Sequence, residues 1–299
     1  MAYPYLLAWN ILFVLLWAVI RKKVILISII TIGLGLSNVN RLVGLSLTNT
    51  NKEDIASEIQ IMSYNAQSFH GKKEYPGSYS DLIKLIKSQD LVLLQEIPHH
   101  IYPRLTEDIS THKAYKEADL GLVIFSKYPI LDDGVVNRQN ASNGSIWVDL
   151  DIKEERVRVY NVHLQSYRLS VTTKELSNKK TWATFKDLLQ RIKLRSQLRS
   201  DQVDLIEEHI QSCKYPIILG GDFNDTPVSY SYNQLSRGFQ DSFCEMGKGF
   251  GTTYAGNIPL LRIDYIFTDS NFKILHHQVI DSPLSDHYPV KSVIRLQPK

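Results

Sequence analysis

At 299 residues the chain is long enough for one large domain or two ordinary ones, and 43% hydrophobic with 22% charged residues marks a globular rather than a disordered chain. A formal net charge of +3 gives no global basic field of the kind that draws nucleic acid to a whole surface. Two cysteines, Cys213 and Cys244, exclude a disulfide framework and a cysteine-based metal site.

The first elements are apolar. Pro4 to Ile20 (PYLLAWNILFVLLWAVI) carries no charge, Arg21, Lys22 and Lys23 follow, and Val24 to Leu36 (VILISIITIGLGL) is again uncharged. A membrane-spanning helix needs about 17–25 mostly apolar residues. The first run has that length, and the second has it if it continues through Asn40. The pattern predicts a transmembrane helical hairpin within residues 1–47, with helices over about 4–20 and 24–40. Basic residues favour the cytoplasmic turn, so everything after residue 47 is expected on the outer side of a membrane. The alternative is an apolar hairpin buried in a folded domain. Residues 48–58 (TNTNKEDIASE) are polar and read as a linker, which leaves 59–299 as the second domain.

From Ile59 a short apolar run repeatedly ends in polar side chains. Ile59–Tyr64 ends in Asn65, Leu91–Leu94 in Gln95 and Glu96, and Val157–Val162 in His163. Ile217–Leu219 ends in Gly220 and Gly221 and then delivers Asp222 and Asn224. Arg262–Phe267 carries Asp264, and Ser285, Asp286 and His287 precede Tyr288–Ile294. Runs of this length rich in β-branched residues predict buried strands. Helical spacing of apolar residues lies between them, over Ser80–Ser88 and Thr181–Cys213. The fold class expected is α/β, with sheets packed face to face and helices outside.

One strand-terminal Asp or Asn is ordinarily a turn or cap, and one His an ordinary packed residue. Six such ends in one domain point to one site. Its oxygen-rich donors suit Mg²⁺ or Mn²⁺ rather than a thiolate-bound zinc. Strand alternation would aim Asp222 and Asn224 the same way, and the two glycines would let backbone and ligand approach closely. The Lys- and Arg-rich segment Lys174–Arg199 reads either as a surface for anionic lipid or nucleic acid or as a solvated helix face. Gly251–Gly256 (GTTYAG) reads as a rim loop or an ordinary turn.

The segments MSYNAQSF (Met62–Phe69), LVLLQE (Leu91–Glu96), YNVHLQS (Tyr160–Ser166), GGDFNDTP (Gly220–Pro227), RIDYIF (Arg262–Phe267) and SDHYPV (Ser285–Val290) resemble, in order, those of the endonuclease/exonuclease/phosphatase superfamily. Its members include pancreatic deoxyribonuclease, abasic-site endonucleases, neutral sphingomyelinases and inositol polyphosphate phosphatases. The resemblance implies a four-layer α/β sandwich preceded here by the apolar hairpin. It further implies metal ligation by Asn65, Glu96 and Asp286, water activation by Asp222 and phosphate contact by Asn224. His287 would stabilise phosphoryl oxygens, Asp264 would orient a catalytic histidine, and His163 would donate to phosphate or leaving group. His163 argues for the deoxyribonuclease and sphingomyelinase branch. Gln67 departs from the acid that abasic-site enzymes carry two positions after the first Asn, which weakens a second metal position.

The implied activity is Mg²⁺- or Mn²⁺-dependent hydrolysis of a phosphodiester, in a phospholipid headgroup or a nucleic acid. The alternatives are a phosphomonoesterase of the inositol-phosphate type and a catalytically silent binding module of the same fold. The apolar hairpin also resembles that of membrane-associated Bacteroidetes members. The expected location is therefore a bacterial inner membrane with the second domain on the periplasmic side, as a monomer without a protein partner.

Overall fold

A computed structural model of the chain describes residues 3–20, 23–35, 38–46, 58–67, 79–140, 143–167, 181–256, 258–282 and 284–298. It opens with helices α1 (Tyr3–Ile20), α2 (Ile25–Gly35) and the one-turn α3 (Val39–Leu42), then the two-residue strand β1 (Gly44–Leu45). Next come β2 (Glu58–Asn65), α4 (Tyr79–Lys87), β3 (Leu91–Gln95), α5 (Tyr102–Asp108), β4 (Lys113–Glu117) and β5 (Leu122–Ser126). The chain continues through β6 (Ile130–Asn140), β7 (Asn143–Ile152), β8 (Glu155–His163), the long helix α6 (Thr181–Gln211) and β9 (Ile217–Asp222). The last elements are α7 (Tyr230–Leu235), β10 (Gln240–Asp241), α8 (Ser242–Met246), β11 (Lys248–Gly249), β12 (Asp264–Thr268), β13 (Phe272–Val279) and β14 (Val290–Leu296).

The membrane expectation is corrected at the N-terminus. Among the described residues no helix is long and apolar enough to cross a membrane. Among the described residues the second apolar run carries α2 over the 11 residues Ile25–Gly35 and a separate one-turn α3 over Val39–Leu42. At about 1.5 Å per residue α2 spans roughly 16 Å, half of a bilayer's hydrocarbon core of about 30 Å. α1 has 18 residues, at the lower limit, and carries Tyr3, Pro4, Tyr5 and Asn10 within it. The inner-membrane location with a periplasmic domain falls with this finding, and the spanning hairpin and membrane partner are left without support.

Contacts tie this segment to the rest of the chain. The Tyr5 hydroxyl donates to the Pro259 carbonyl at 2.8 Å. Arg41 in α3 donates to Asn233 Oδ1 at 2.7 Å and lies 5.1 Å over the Tyr232 ring. β1 pairs with β11, Gly44 opposite Gly249.

Two six-stranded sheets form the body, in the orders β13-β14-β2-β3-β5-β4 and β10-β12-β9-β8-β7-β6. Each is mixed: β2 and β3 run parallel in the first, β8 and β9 in the second, and the other pairs are antiparallel. Alternate residues on each strand face the partner sheet. Ile61, Leu93 and Ile124 of the first sheet therefore meet Val148, Val159 and Ile218 of the second in one fully buried cluster. The outer faces are covered separately. Leu82 and Ile86 of α4 and Leu105 of α5 pack on Met62, Val92 and Phe125. Val203 and Ile206 of α6 and Tyr232 of α7 pack on Tyr160, Leu219 and Phe267. The result is helix, sheet, sheet, helix, the layering the strand pattern predicts.

Candidate active site

Register alone brings the polar strand ends to one rim. In the second sheet His163 lies opposite Asp222, and Asp222 opposite Asp264, so the ends of β8 and β9 and the start of β12 form one row. In the first sheet Asn65 lies opposite Gln95, with Glu96 next along. β14 enters beside β2, Val290 opposite Ser63, which places Ser285 to His287 at the same rim. There the Ser285 hydroxyl donates to the Asn65 carbonyl at 2.8 Å and accepts from His287 N–H at 3.2 Å.

The backbone turns sharply at this rim. Of the six non-glycine residues with positive φ among those described, three belong here: Gln67 (43°), Glu96 (56°) and Asn224 (51°). Such conformations cost about 1–3 kcal/mol each and persist only where their surroundings hold them. Strand alternation does not pair Asp222 with Asn224, because β9 ends at Asp222. The left-handed turn folds Asn224 back instead, its N–H donating to Asp222 Oδ1 at 2.7 Å and its Nδ2 to Asp222 Oδ2 at 3.1 Å. The glycines before them answer to packing rather than to a ligand. A Cβ on Gly221, φ 141°, would sit 1.9 Å from the Val162 carbonyl oxygen, and one on Gly220 would sit 2.7 Å from Leu93 Cδ1 across the sheet interface.

Asp222, buried, is the hub. Its Oδ2 also accepts from Asn65 Nδ2 at 3.0 Å and lies 3.7 Å from His163 Nε2 and 3.8 Å from His287 Nε2. Asn65 Nδ2 reaches Glu96 Oε1 at 3.2 Å as well, and Asn65 Oδ1 accepts from Gln67 N–H. Asn65 thus presents its donor face to the acids. Both Nδ2 hydrogens of Asn224 are engaged, by Asp222 and by the Leu164 carbonyl, so here it aligns Asp222. His163 is buried, its ring nitrogens have no hydrogen-bond partner among the described residues, and its Nε2 lies 3.6 Å from Glu96 Oε1. Asp286 Oδ2 accepts from Gln67 Nε2 at 2.8 Å.

His287 is held by Asp264, with Nδ1 2.9 Å from Oδ2. Burial pulls its imidazolium down, but the charges of Asp264, Asp222 and Asp286 overrule it and push the group up to about 10. His287 is therefore protonated at neutral pH. Burial raises the Asp222 carboxyl, against His287 and His163, which lower it. Burial also raises Asp286, opposed by His287 and reinforced by Glu96 and Asp222.

Two donor sets could take a cation. The buried trio Asp222, Asp264 and His287 offers one ligand atom each within 4.8 Å of one another, an arrangement compatible with metal use. Its His287–Asp264 contact is, however, already a hydrogen-bonded pair. The more open set is Glu96, whose side chain is 37% exposed, with Asp286 and Asn65 close by. Among the described residues no lysine or arginine pairs with Glu96, Asp222 or Asp286.

Supporting residues escape a sequence reading centred on acids and histidines. Gln95 Nε2 donates to Asn161 Oδ1 at 2.7 Å, and Asn161 Nδ2 to the Leu94 and Val123 carbonyls, a buried bridge between the sheets directly behind Glu96. Both stand in the quoted segments, yet each resembles a strand residue. Gly251–Gly256 is anchored: Thr253 Oγ1 accepts from the N–H groups of Ile263 and Asp264, and Tyr254 stands edge-on to His287 at 5.4 Å. The basic segment divides. Lys174, Lys179 and Lys180 lie outside the described residues, Lys186, Arg191 and Lys193 are exposed, and Arg199 is buried.

The Endonuclease/Exonuclease/phosphatase family pattern matches residues 62–287, and the chain belongs to that family. Residues 1–42 match a domain of unknown function (DUF8431). A search of curated proteins gives no match. Among solved structures, an endonuclease/exonuclease/phosphatase family protein from Bacteroides thetaiotaomicron superposes with a TM-score of 0.61 at 18% identity, over 81% of this chain and 99% of that one. A humanized D. rerio TDP2 superposes at 0.60 with 17% identity, over 80% and 100%. D. rerio TDP2 complexed with single strand DNA product does so at 0.59 with 16% identity, over 80% and 99%. Likeness at this identity establishes a shared fold. It does not carry the narrower resemblance to membrane-associated Bacteroidetes members.

Proposed function

We propose that the chain is a divalent-metal-dependent phosphoesterase that hydrolyses a phosphodiester by attack of water. The observation that carries this reading is the convergence on Asp222 of Asn65, Asn224, His163 and the Asp264-held His287, beside the open acids Glu96 and Asp286. The donor set fits a hard cation: its oxygens are carboxylate and amide, and no lysine or arginine among the described residues balances the acids. Glu96 and Asp286 would hold it, while Asn65, whose Nδ2 donates to Glu96 and Asp222, would keep those acids in place. Mg²⁺ or Mn²⁺ bound there supplies positive charge against phosphate oxygens and acidifies water.

The chain's own residues do the rest. Asp222, aligned by Asn65 and Asn224, accepts the proton of the attacking water, and its burial-raised pKa makes it a stronger base than an exposed carboxylate. His287 directs Nε2–H at the phosphoryl oxygens, where charge grows in the transition state. His163 donates to phosphate or to the leaving oxygen.

The test is hydrolysis of bis-p-nitrophenyl phosphate by the full chain with Mg²⁺ or Mn²⁺. Asp222→Asn is expected to lower kcat by about 10²–10⁴-fold at unchanged thermal stability, and EDTA to abolish turnover until metal is restored. No turnover by the wild-type chain with either ion, or a fully active Asp222→Asn, would sink the proposal and favour a silent binding module. A panel of single-stranded DNA, plasmid DNA, sphingomyelin and inositol phosphates then assigns the substrate. Nucleic acid leads it because the superposable TDP2 structure holds single strand DNA product.

A further inference from the structure

α6 carries a buried arginine that reaches the catalytic turns. Arg199 is 1% exposed, stacks 3.9 Å over the Tyr167 ring and lies 3.4 Å from Asp225 Oδ2. Its Nη1 donates to the carbonyl of Asn224, the residue in the left-handed turn beside Asp222. Asn224 is thereby held on every side: its N–H by Asp222, its side chain by Asp222 and Leu164, its carbonyl by Arg199. One helical turn further, Gln202 Oε1 accepts the Gln165 N–H at 2.9 Å and fixes the strand exit that follows His163. Residues three apart on a helix share a face, so a single rigid element grips both turns that carry His163, Asp222 and Asn224.

Stability alone does not explain this arginine. Its Nη2 has no partner among the described residues, and a buried guanidinium with an idle donor stabilises less than an apolar side chain of that volume would. What the guanidinium does achieve is directional, because it fixes the peptide plane after Asn224 and with it the amide that aims Asp222.

We propose that Arg199 is a positioning residue, which sets the orientation of Asp222 through Asn224 without touching the substrate. Its kinetic expression rests on the phosphoesterase reading above. A displaced catalytic group costs turnover rather than binding. Arg199→Met is therefore expected to lower kcat on bis-p-nitrophenyl phosphate by about 10–100-fold with KM changed less than about twofold. Arg199→Lys, which keeps the charge and one donor, is expected to recover part of kcat.

Hydrogen exchange supplies a readout independent of turnover. In both variants exchange is expected to rise in peptides spanning 163–167 and 220–227, with β13 and β14 unchanged. If the wild-type chain proves inactive, the phosphoesterase reading fails and the exchange pattern alone decides on Arg199. Should Arg199→Met not fold, Arg199→Lys carries both measurements. A kcat within twofold of wild type, a KM that rises in step with the loss of kcat, or unchanged exchange in the two turns overturns the proposal.

Discussion

Gly221 shows how little freedom a residue at this rim has. Its φ of 141° is strained for any L-residue, and an added Cβ would overlap the Val162 carbonyl at 1.9 Å, where β8 and β9 are hydrogen-bonded and neither backbone can retreat. Gly221→Ala is expected to destabilise the chain by about 3 kcal/mol or more, seen as a lower Tm or loss of folded protein. Gly238 offers the control: φ is +81° but nothing lies within 4 Å of its added Cβ, so Gly238→Ala should cost only about 1 kcal/mol. Similar losses for the two would show that conformation, not the clash, sets the cost. Asp222 and His287 could be singled out from sequence only as members of a set, because one polar strand end is an ordinary cap and six in one domain point to one site. Gly221 could be singled out too, but for the wrong reason, since only the neighbouring strand reveals what a side chain would strike. Arg199 reads in sequence as one more cation of a basic helix, and only the tertiary packing turns it inward.

Among the elements, β13 binds the sheet edge to α8 through a histidine that must stay neutral. His277 Nδ1 shares a hydrogen bond of 2.8 Å with Ser242 Oγ, its ring stands edge-on to Phe243 at 5.5 Å, and its Nε2 is shut off from solvent. Burial lowers it to about 3, with Asp241 opposing and Arg262 and His276 reinforcing the shift. The unfolded value is 6.5, so below that pH the unfolded chain binds one proton more than the folded one. Stability is full above pH 6.5 and falls as the pH drops toward about 3, by roughly 1.4 kcal/mol per pH unit once well below 6.5. Chemical denaturation at pH 7, 6 and 5 is expected to show this slope, and His277→Asn to flatten it. An equal slope in the variant would assign the acid lability to other groups. Periodicity anticipates the strands and long helices well, because a half-buried face imposes its repeat on the sequence. Two-residue strands such as β1 and β10 leave no such imprint, because backbone pairing alone defines them.

For the molecule as a whole, the most consequential buried charge is Arg262. Its Nη1 donates to Asp241 Oδ2 at 2.8 Å, its Nη2 to the Arg41 carbonyl at 2.8 Å, and its guanidinium packs 4.4 Å from the Phe243 ring and 4.7 Å from that of Tyr265. One side chain thus joins α3 of the N-terminal segment, the start of α8 and the strand that presents Asp264. Burial raises the Asp241 carboxyl, but Arg262 and the Tyr232 hydroxyl outweigh it and hold the group below the ordinary range. Arg262→Met would leave that carboxylate buried and unpaired, at a cost of about 3–5 kcal/mol. Arg262→Met combined with Asp241→Leu is expected to recover much of it, measured by urea denaturation. A double variant no better than the single one would show that the link to Arg41, not the ion pair, carries the stability.

By itself the sequence determined the repeating strand that ends in polar side chains, hence the layered α/β class and the residue types that gather at one rim. Those signals are local, set by side-chain period and chemical identity. Only the tertiary structure decided that no helix among the described residues is long and apolar enough to cross a membrane, and that Asn224 holds Asp222 through a left-handed turn. It alone placed Gln95 and Asn161 behind Glu96, and Arg199 behind Asn224. Each of these depends on which backbone atom from a distant part of the chain lies within reach, and no pattern along the chain encodes that distance.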